Sequence, residues 1–306
     1  MMMKPSGEQS WQPDPASGIA IQWIEAGELT FEVATMGEGD HLALCLHGFP
    51  ELHYSWRHQM PLLAKMGYRV WAPNLRGYGG TSRPGDVRAY AMDRLTGDVA
   101  ALIDASGAKE VTLLAHDWGA IIAWSFAIAK LRPLTRLVIM NVPHPKPAMR
   151  EIRHWRQLKK SWYIYFFQLP FLPEMMLARG GGNAVGRLIA DTACNKERFG
   201  PDVRRIYSQA GRRPGARRAM VNYYRALLRH RGTLDLGDFR VEVPTLMVWG
   251  EEDVALNIRC TERTDDWVSD FTLKRLPGVS HWVQQDAPEE VNAILGEWLP
   301  GAAASD

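Results

Sequence analysis

Hydrophobic and polar residues alternate in the first part of the chain and then give way to longer apolar runs. Two alternating segments, IQWIEA and LTFEVATMG, predict an opening β-hairpin. The next segment, HLALCLHG, is mostly apolar and ends at a glycine, which is typical of a strand buried on both faces of a sheet. A helix in SWRHQMPLLAKM and a strand in YRVWAPN are predicted after it.

The alternation of strands and helices continues through the middle of the chain. After the glycine-rich loop LRGYGGTSRPG, the segment MDRLTGDVAALIDASG repeats apolar residues every three or four positions, as an amphipathic helix does. EVTLLAHD then predicts a strand, AIIAWSFAIAK a helix and TRLVIMNV a further strand. Strands that alternate with helices in this way favour a mostly parallel, doubly wound sheet.

The alternating pattern stops at PHPKP. Residues 144–235 have a helical, aromatic and arginine-rich pattern, and alternation resumes after Pro244 with TLMVWG, FTLKRLPG and the closing helix PEEVNAILGEWL. We therefore predict an α/β core formed by residues 21–143 and 236–301, with a helical cap inserted between the two parts. The polar residues 1–20, which include several prolines and glycines, are expected to form a loose tail.

Charge and cysteine content narrow the class of protein. The 306 residues carry a net charge of +2, which does not indicate a nucleic-acid-binding protein. Lys and Arg outnumber Asp and Glu by about three to one in residues 144–235, which we interpret as a solvated basic face, with an anionic substrate or a lipid surface as the alternative. Cys45, Cys194 and Cys260 lack the spacing of a metal site, and no segment has the length of a membrane span or the apolar core of a signal peptide. We expect a cytoplasmic protein, monomeric or homodimeric, that binds neither nucleic acid nor membrane.

One carboxylate lies between two apolar runs, in LLAHDWGAIIAW. Burying Asp117 without a partner would be costly, so this residue type indicates either a well-satisfied cap or a reactive group. The small residues Ala115 and Gly119 flank it as they do the nucleophile of a sharp strand-to-helix turn, where serine is the usual residue. A carboxylate is already charged, so it can attack a saturated carbon and form an alkyl ester. Hydrolysis of that ester requires a separate base.

Candidates for that base and its acid partner follow the last two predicted strands. His281 lies in LPGVSHWVQQ and Asp253 in VWGEEDVAL, which completes the nucleophile–acid–base order of the hydrolase fold. The backbone N–H groups of Phe49, in HGFP, and Trp118 are predicted to form an oxyanion hole. A lone Asp is often a helix cap and a lone His is often structural, but their joint occurrence at strand ends favours a catalytic triad.

The longer motifs resemble those of the α/β-hydrolase-fold epoxide hydrolases. The resemblance is carried by HGFPELHYSWRHQMPLLAKMGYRVWAPNLRGYGGTSRP, AHDWG, NVPHP, GEEDVAL and SHWVQQDAPEEVNAILGEWL, and it extends from about residue 25 to 300. It implies a mostly parallel eight-stranded sheet with a helical cap over the site, and no cofactor or metal. It also implies that the substrate is a small-molecule epoxide, opened by water to a vicinal diol.

The same resemblance implies two cap tyrosines that hold the epoxide oxygen. The segments SWYIYFFQLP and VNYYRALL match the family pattern at Tyr163 and Tyr224, with Tyr165 as the competing choice for the first. A phenol is a neutral donor that suits the alkoxide formed by ring opening in an apolar pocket. We expect the pocket to be lined by Phe49, Trp118, Tyr165, Tyr223 and Trp282. The apolar segment WYIYFFQLPFLPEMM is expected to line this pocket rather than to dock on a membrane.

Two other functions are consistent with parts of this pattern. A haloalkane dehalogenase shares the Asp–His–acid arrangement, but it needs a second halide donor in the HGFP loop, where this chain has Phe49. A non-catalytic ligand-binding protein on the same scaffold is the second alternative, although such proteins usually lose a triad member. The residues do not determine which epoxides are substrates, which ring carbon is attacked or which enantiomer is preferred.

Overall fold

The computed structural model describes residues 9–302 and contains one eight-stranded sheet with the strand order β1-β2-β4-β3-β5-β6-β7-β8. The strands are β1 (Ala20–Ala26), β2 (Leu29–Met36), β3 (His41–Leu46), β4 (Arg69–Pro73), β5 (Glu110–His116), β6 (Arg136–Met140), β7 (Thr245–Gly250) and β8 (Phe271–Leu276). β2 is antiparallel to both β1 and β4, and the remaining neighbours are parallel. The predicted fold class, with its opening hairpin and mostly parallel sheet, is confirmed.

Twelve α-helices accompany the sheet in the described residues. They are α1 (Met60–Lys65), α2 (Met92–Ser106), α3 (Trp118–Ile128), α4 (Pro145–Glu151), α5 (Trp155–Lys160), α6 (Trp162–Phe166), α7 (Leu172–Ala178), α8 (Ala184–Thr192), α9 (Pro201–Arg212), α10 (Ala216–Arg229), α11 (Val283–Asp286) and α12 (Pro288–Trp298). Helices α4–α10, which we call the cap, all lie in the insertion between β6 and β7. They fall within residues 144–235, where the helical pattern predicts them.

Two apolar clusters lie on opposite faces of the sheet, and the fully buried strand β3 contributes to both. Leu42, Leu44 and Leu46 pack with α2 and α3, whereas Ala43 and Cys45 pack with α1 and α12. This division follows from the strand period of two, because successive side chains point to opposite faces. Cys45 therefore acts as a small apolar residue, as its place in an apolar strand indicates.

The packed part of the chain begins earlier than the sequence predicts. Residues 1–8 of the expected tail lie outside the described residues, but Ser10 is buried and its backbone N–H donates to Glu32. The ring of Trp11 makes an edge contact with Tyr54, with ring centroids 4.9 Å apart. Residues 10 and 11 therefore belong to the packed core, because Glu32 and Tyr54 provide partners that a composition-based prediction cannot show. None of the helices in residues 9–302 combines the length and the apolar character that crossing a membrane requires.

Candidate active site

Asp117 occupies a sharp turn between β5, which ends at His116, and α3, which begins at Trp118. Its backbone has φ 46° and ψ −119°, a conformation that is rare for a residue with a side chain. The turn lies so close to the end of β3 that a Cβ on Gly119 would lie 2.5 Å from the carbonyl oxygen of Leu46. The Asp117 side chain makes no capping hydrogen bond to α3, so the structure does not support the alternative of a helix cap. The turn instead presents a carboxylate at the carboxyl edge of the sheet.

The two oxygens of Asp117 have different partners. The backbone N–H of Phe49 donates to Oδ1 at 2.6 Å, and Nε2 of His281 lies 3.4 Å from Oδ2. Burial raises the pKa of this carboxyl, but the hydrogen bond and positive charge of His281 outweigh burial and hold the pKa below its ordinary value. Asp117 is therefore a carboxylate, with one oxygen held by the backbone and the other beside an imidazole.

His281 and Asp253 form a short, buried pair. Nδ1 of His281 lies 2.6 Å from Oδ2 of Asp253, which also accepts a hydrogen bond from Asn141. The other carboxylate oxygen accepts from the backbone N–H groups of Ala255 and Leu256, at 2.7 and 2.8 Å. Burial raises the pKa of Asp253, but the charge of His281 and these donors outweigh it and lower the pKa. Asp253 is consequently fixed in position and negatively charged.

The charge of His281 depends on two carboxylates. Burial lowers the pKa of the imidazole, but Asp253 and Asp117 together raise it well above its ordinary value. The two carboxylates therefore favour the protonated form of His281 in the resting site. Removing the charge of Asp117, as ester formation would do, removes one of the two interactions that keep His281 protonated.

A second buried pair, which no motif in the sequence indicates, supports this arrangement from the core. Nδ1 of His116 lies 2.7 Å from a carboxylate oxygen of Glu51, and Nε2 of His116 lies 2.8 Å from the carbonyl oxygen of His281. The same Glu51 oxygen accepts from the backbone N–H of Gly48 at 3.0 Å. Glu51 thus connects the HGFP loop to the backbone of the catalytic histidine candidate. The Phe49–Pro50 peptide bond in that loop is cis.

Two adjoining cavities meet at Asp117. One, of about 360 Å³, is lined by Phe49, Trp282, His281 and residues of the cap, and the other, of about 280 Å³, is lined by Trp118 and a different set of cap residues. Three residues line both cavities: Asp117, Tyr163 and Tyr224. Of the residues expected to line the pocket, Phe49 and Trp282 lie at the larger cavity and Trp118 at the smaller one.

The two cap tyrosines that the resemblance implies lie together at this junction. Their rings are 5.7 Å apart and nearly perpendicular, with Tyr163 on α6 and Tyr224 on α10. Burial raises the pKa of both phenols, and the negative charge of Asp117 raises it further. Both side chains are therefore neutral hydrogen-bond donors beside a carboxylate.

The structure places the other two tyrosines outside these cavities, which corrects the expected lining. Tyr165 is 57% exposed, because residues two apart on α6 point to opposite sides of the helix. Tyr223 is fully buried behind Tyr224, and its hydroxyl donates to the backbone carbonyl of Arg76 at 2.8 Å. Tyr165 faces solvent, and Tyr223 anchors α10 to the core.

Two cap residues near the acid are not indicated by the sequence. Lys160 lines the larger cavity and donates through Nζ to the backbone carbonyl of Asp253 at 2.5 Å. The amide of buried Gln157 donates to the carbonyl of Ala255 and accepts from the N–H of Asn257, at 3.0 and 2.9 Å. Together they attach α5 to the loop that carries the acid, immediately before the helix that carries Tyr163. Only the tertiary contact reveals this role, because a Gln and a Lys in a basic helix have no distinguishing pattern.

Among residues 9–302, no group of three or more His, Cys, Asp and Glu side chains is placed to hold a metal ion.

The charge arrangement predicts how His281 titrates. Replacing Asp253 by Asn should lower the pKa of His281 more than replacing Asp117 by Asn, because the contact to Asp253 is 2.6 Å and that to Asp117 is 3.4 Å. In the wild type the ring should stay protonated as the pH rises through its ordinary value of about 6.5, and in Asp253→Asn it should lose its proton at lower pH. NMR titration of labelled histidine measures this, with the His281→Gln variant identifying the resonance. Equal pKa values in all three proteins would contradict the arrangement.

Comparisons with known proteins agree with this geometry. A family model described as alpha/beta hydrolase fold matches residues 44–288. Epoxide hydrolase 4 of Mus musculus is 36% identical over 289 residues, covering 92% of this chain and 77% of the relative. Epoxide hydrolase A of Mycobacterium tuberculosis is 32% identical over 317 residues, covering 93% of this chain and 95% of the relative.

Solved structures show the same likeness. A crystal structure of Epoxide Hydrolase A from Mycobacterium thermoresistibile matches with a TM-score of 0.79 at 28% identity, covering 94% of this chain and all of that one. The Bacillus megaterium epoxide hydrolase in complex with an inhibitor matches with a TM-score of 0.82 at 29% identity, covering 90% and 99% of the two chains. This chain belongs to the epoxide hydrolases of the α/β-hydrolase fold, enzymes that act on epoxides with water.

Proposed function

We propose that this enzyme converts epoxides to vicinal diols through a covalent ester on Asp117. The observation that carries the proposal is the meeting of two cavities at Asp117, Tyr163 and Tyr224, with the His281–Asp253 pair alongside. A nucleophile, two donors and a base are thereby gathered around a space large enough for a small organic molecule.

In the first step, Oδ2 of Asp117 attacks an epoxide carbon and the bond between that carbon and the ring oxygen breaks. Oδ2 is the better candidate for attack because Oδ1 is held by the N–H of Phe49. The hydroxyls of Tyr163 and Tyr224 hydrogen-bond to the ring oxygen as its negative charge develops, and a proton from a phenol converts it to a hydroxyl. The imidazolium of His281 supplies the proton that restores the phenol.

In the second step, the neutral imidazole of His281 takes a proton from water. The resulting hydroxide attacks the carbonyl carbon of the Asp117 ester, and Asp253 stabilises the imidazolium that forms. The N–H of Phe49 already contacts Oδ1, and we assign the second donor of the oxyanion hole to the N–H of Trp118. Collapse of this intermediate breaks the ester bond, releases the diol with the second proton of water, and restores the carboxylate.

The dehalogenase alternative is less well supported by this site. Phe49 supplies no side-chain donor at the loop position where a halide site needs one, whereas two phenols face Asp117 at the junction of the cavities. Diol formation from styrene oxide, without halide release from short chloroalkanes and bromoalkanes, would separate the two functions. Tight binding of such compounds without turnover of any of them would favour the non-catalytic alternative.

The covalent step can be trapped by removing the base. In His281→Gln, Asp117 should still be alkylated by styrene oxide, but the ester should persist because no group remains to activate water. Intact-protein and peptide mass spectrometry should then show an added mass equal to that of the epoxide on the peptide containing Asp117. Asp117→Asn is the control and should acquire no adduct. Adducts only on other peptides, or turnover by Asp117→Asn, would rule out this nucleophile.

The ring-opening role predicts different effects for tyrosines that are close in sequence. Tyr163→Phe and Tyr224→Phe should each reduce kcat for styrene oxide, and the double variant should lose roughly 100-fold or more, because the alkoxide would lack both donors. Tyr165→Phe is the matched control on the same helix; it should leave turnover unchanged, since Tyr165 faces solvent. If Tyr165→Phe were as damaging as Tyr163→Phe, the assignment of the first donor would be wrong.

The position of the nucleophile depends on the lack of a side chain at Gly48. A Cβ at Gly48 would lie 2.3 Å from the Cβ of Asp117, so Gly48→Ala must displace the carboxylate from the Phe49 N–H. We expect kcat/KM to fall by about 100-fold or more, as small misplacements of a reacting group can cause. Gly85→Ala is the control, because its Cβ would have no neighbour within 4 Å. Full activity of Gly48→Ala would show that attack does not require this position of Asp117.

A further inference from the structure

The surface of the cap is unusually apolar. Within residues 9–302, ten of the eleven exposed large hydrophobic side chains lie between residues 149 and 175, and the eleventh, Val254, lies at the rim of the larger cavity. Soluble proteins rarely keep such a concentration of large apolar side chains in water without a binding role. The ten residues, which we call the cap apolar surface, are Met149, Ile152, Trp155, Leu158, Trp162, Tyr165, Leu169, Phe171, Leu172 and Met175.

These side chains recur with helical spacing. Each of three short cap helices carries one exposed pair separated by three positions, which places both members on one side of the helix: Trp155 and Leu158 on α5, Trp162 and Tyr165 on α6, and Leu172 and Met175 on α7. Phe171, the residue before α7, is the most exposed of the set at 78%. The segment WYIYFFQLPFLPEMM does contribute to the larger cavity, through Trp162, Tyr163, Phe166, Phe167 and Met176. Others of its apolar residues, such as Tyr165 and Phe171, face solvent instead. The helices of this segment therefore have apolar side chains on both their inner and outer faces.

The charges beside the cap apolar surface are mainly positive. The lysines and arginines between positions 149 and 175 are Arg150, Arg153, Arg156, Lys159 and Lys160. The two acidic residues of this segment, Glu151 and Glu174, are each paired with an arginine. The ammonium group of Lys159 lies 4.7 Å from the ring centre of Trp155. Aromatic and basic side chains combined in this way are typical of surfaces that enter the head-group region of a bilayer.

The same surface borders the openings of both cavities. Trp162 and Val254 are exposed and line the larger cavity, while Met149 and Ile152 are exposed and line the smaller one. An apolar compound dissolved in a bilayer would therefore meet the cavity linings where the cap contacts the lipid.

We propose that the cap apolar surface docks on the surface of an anionic lipid bilayer. Trp155, Trp162 and Phe171 enter the interface, and the exposed Arg153, Arg156 and Lys159 contact the lipid phosphates. A second copy of the chain suits this surface less well, because a symmetric dimer would place the same basic residues opposite each other. The proposal differs from the expectation that WYIYFFQLPFLPEMM lines the pocket rather than docking on a membrane, because the segment has exposed apolar residues as well as pocket-lining ones.

Vesicle co-sedimentation tests the proposal independently of catalysis. The wild type should bind vesicles of phosphatidylcholine with about one third phosphatidylglycerol more tightly than pure phosphatidylcholine vesicles, and salt of about 1 M should release much of it. Trp155→Gln with Phe171→Asn should reduce binding roughly tenfold or more, since both lose their apolar contact with lipid. Asn is chosen at position 171 because the backbone there has φ 63°, which Asn tolerates.

Two double charge-reversal variants distinguish the effect of the cap charges on vesicle binding from the effect of the protein's net charge. Arg156→Glu with Lys159→Glu, both in the cap, should weaken binding by roughly fivefold or more for each lost cation. Lys65→Glu with Lys274→Glu, both in the α/β core, makes the same change in net charge and should have a smaller effect. None of these four residues lines either cavity, so circular dichroism and turnover of styrene oxide without vesicles should be unchanged.

Three outcomes would overturn the proposal. They are no sedimentation of the wild type with anionic vesicles, equal losses in the cap and core charge variants, and unchanged binding of the variant that combines Trp155→Gln with Phe171→Asn. Light scattering tests the alternative that a second copy of the chain binds this surface. If the wild type were a dimer that did not bind vesicles, and Trp155→Gln with Phe171→Asn made it a monomer, the surface would be a subunit interface.

Discussion

A largely buried negative charge at Asp117 is the constraint on which the rest of the site depends. A carboxylate with little access to water needs compensation, and here it comes from a backbone N–H at 2.6 Å and the imidazole of His281 at 3.4 Å. The longer of these contacts leaves Oδ2 with a lone pair for the proposed attack. The same imidazole is held by Asp253, so loss of charge at Asp117 changes the proton affinity of the proposed base. The two proposed steps are therefore linked by one electrostatic interaction.

Close backbone packing makes this geometry possible. Gly48 and Gly119 each lie where a Cβ would come within 2.6 Å of neighbouring atoms, and the two positions flank the carboxylate from β3 and α3. The parallel register that pairs Leu46 with Ala115 brings the ends of β3 and β5 together, so the Phe49 N–H and Asp117 meet without any side-chain adjustment. The buried pair of Glu51 and His116 then fixes the HGFP loop, through the Gly48 N–H, and the backbone of His281, through its carbonyl oxygen. The reactive groups are positioned mainly by backbone and by buried polar contacts.

The strands could be predicted from the sequence because a buried parallel strand is a short apolar run ending in a small residue. The triad candidates could be predicted because each lies just after such a strand, and carboxyl ends of parallel strands share one edge. The inner and outer faces of the cap helices were harder to predict than the strands. Because α6 has aromatic residues on every side, periodicity could not distinguish Tyr163 from Tyr165. Tyr223 was misplaced for a similar reason, because it and Tyr224 are both buried residues of α10. Only the structure separates them, since Tyr223 bonds to Arg76 whereas Tyr224 lines the cavities. The roles of Gln157, Lys160 and Ser10 depend on partners far away in sequence, which no local pattern reports.

The short helices of the cap have apolar side chains on their inner face, toward Asp117, and on their outer face. Inward-facing Tyr163, Phe167 and Tyr224 pack against one another beside Asp117, and burial in this packing helps to keep both phenols neutral. Outward-facing residues of the same segment remain exposed, so burial against the core does not explain why they are apolar.

Helices of five to seven residues, such as α5, α6 and α7, gain little stability alone and depend on contacts at their ends and inner faces. Gln157 and Lys160 provide such contacts to the loop of Asp253, so a displacement of α5 by a partner on its outer surface would reach that carboxylate. The proposed lipid contact of the outer face is thus connected to the Asp253 loop through α5, which immediately precedes the helix that carries Tyr163.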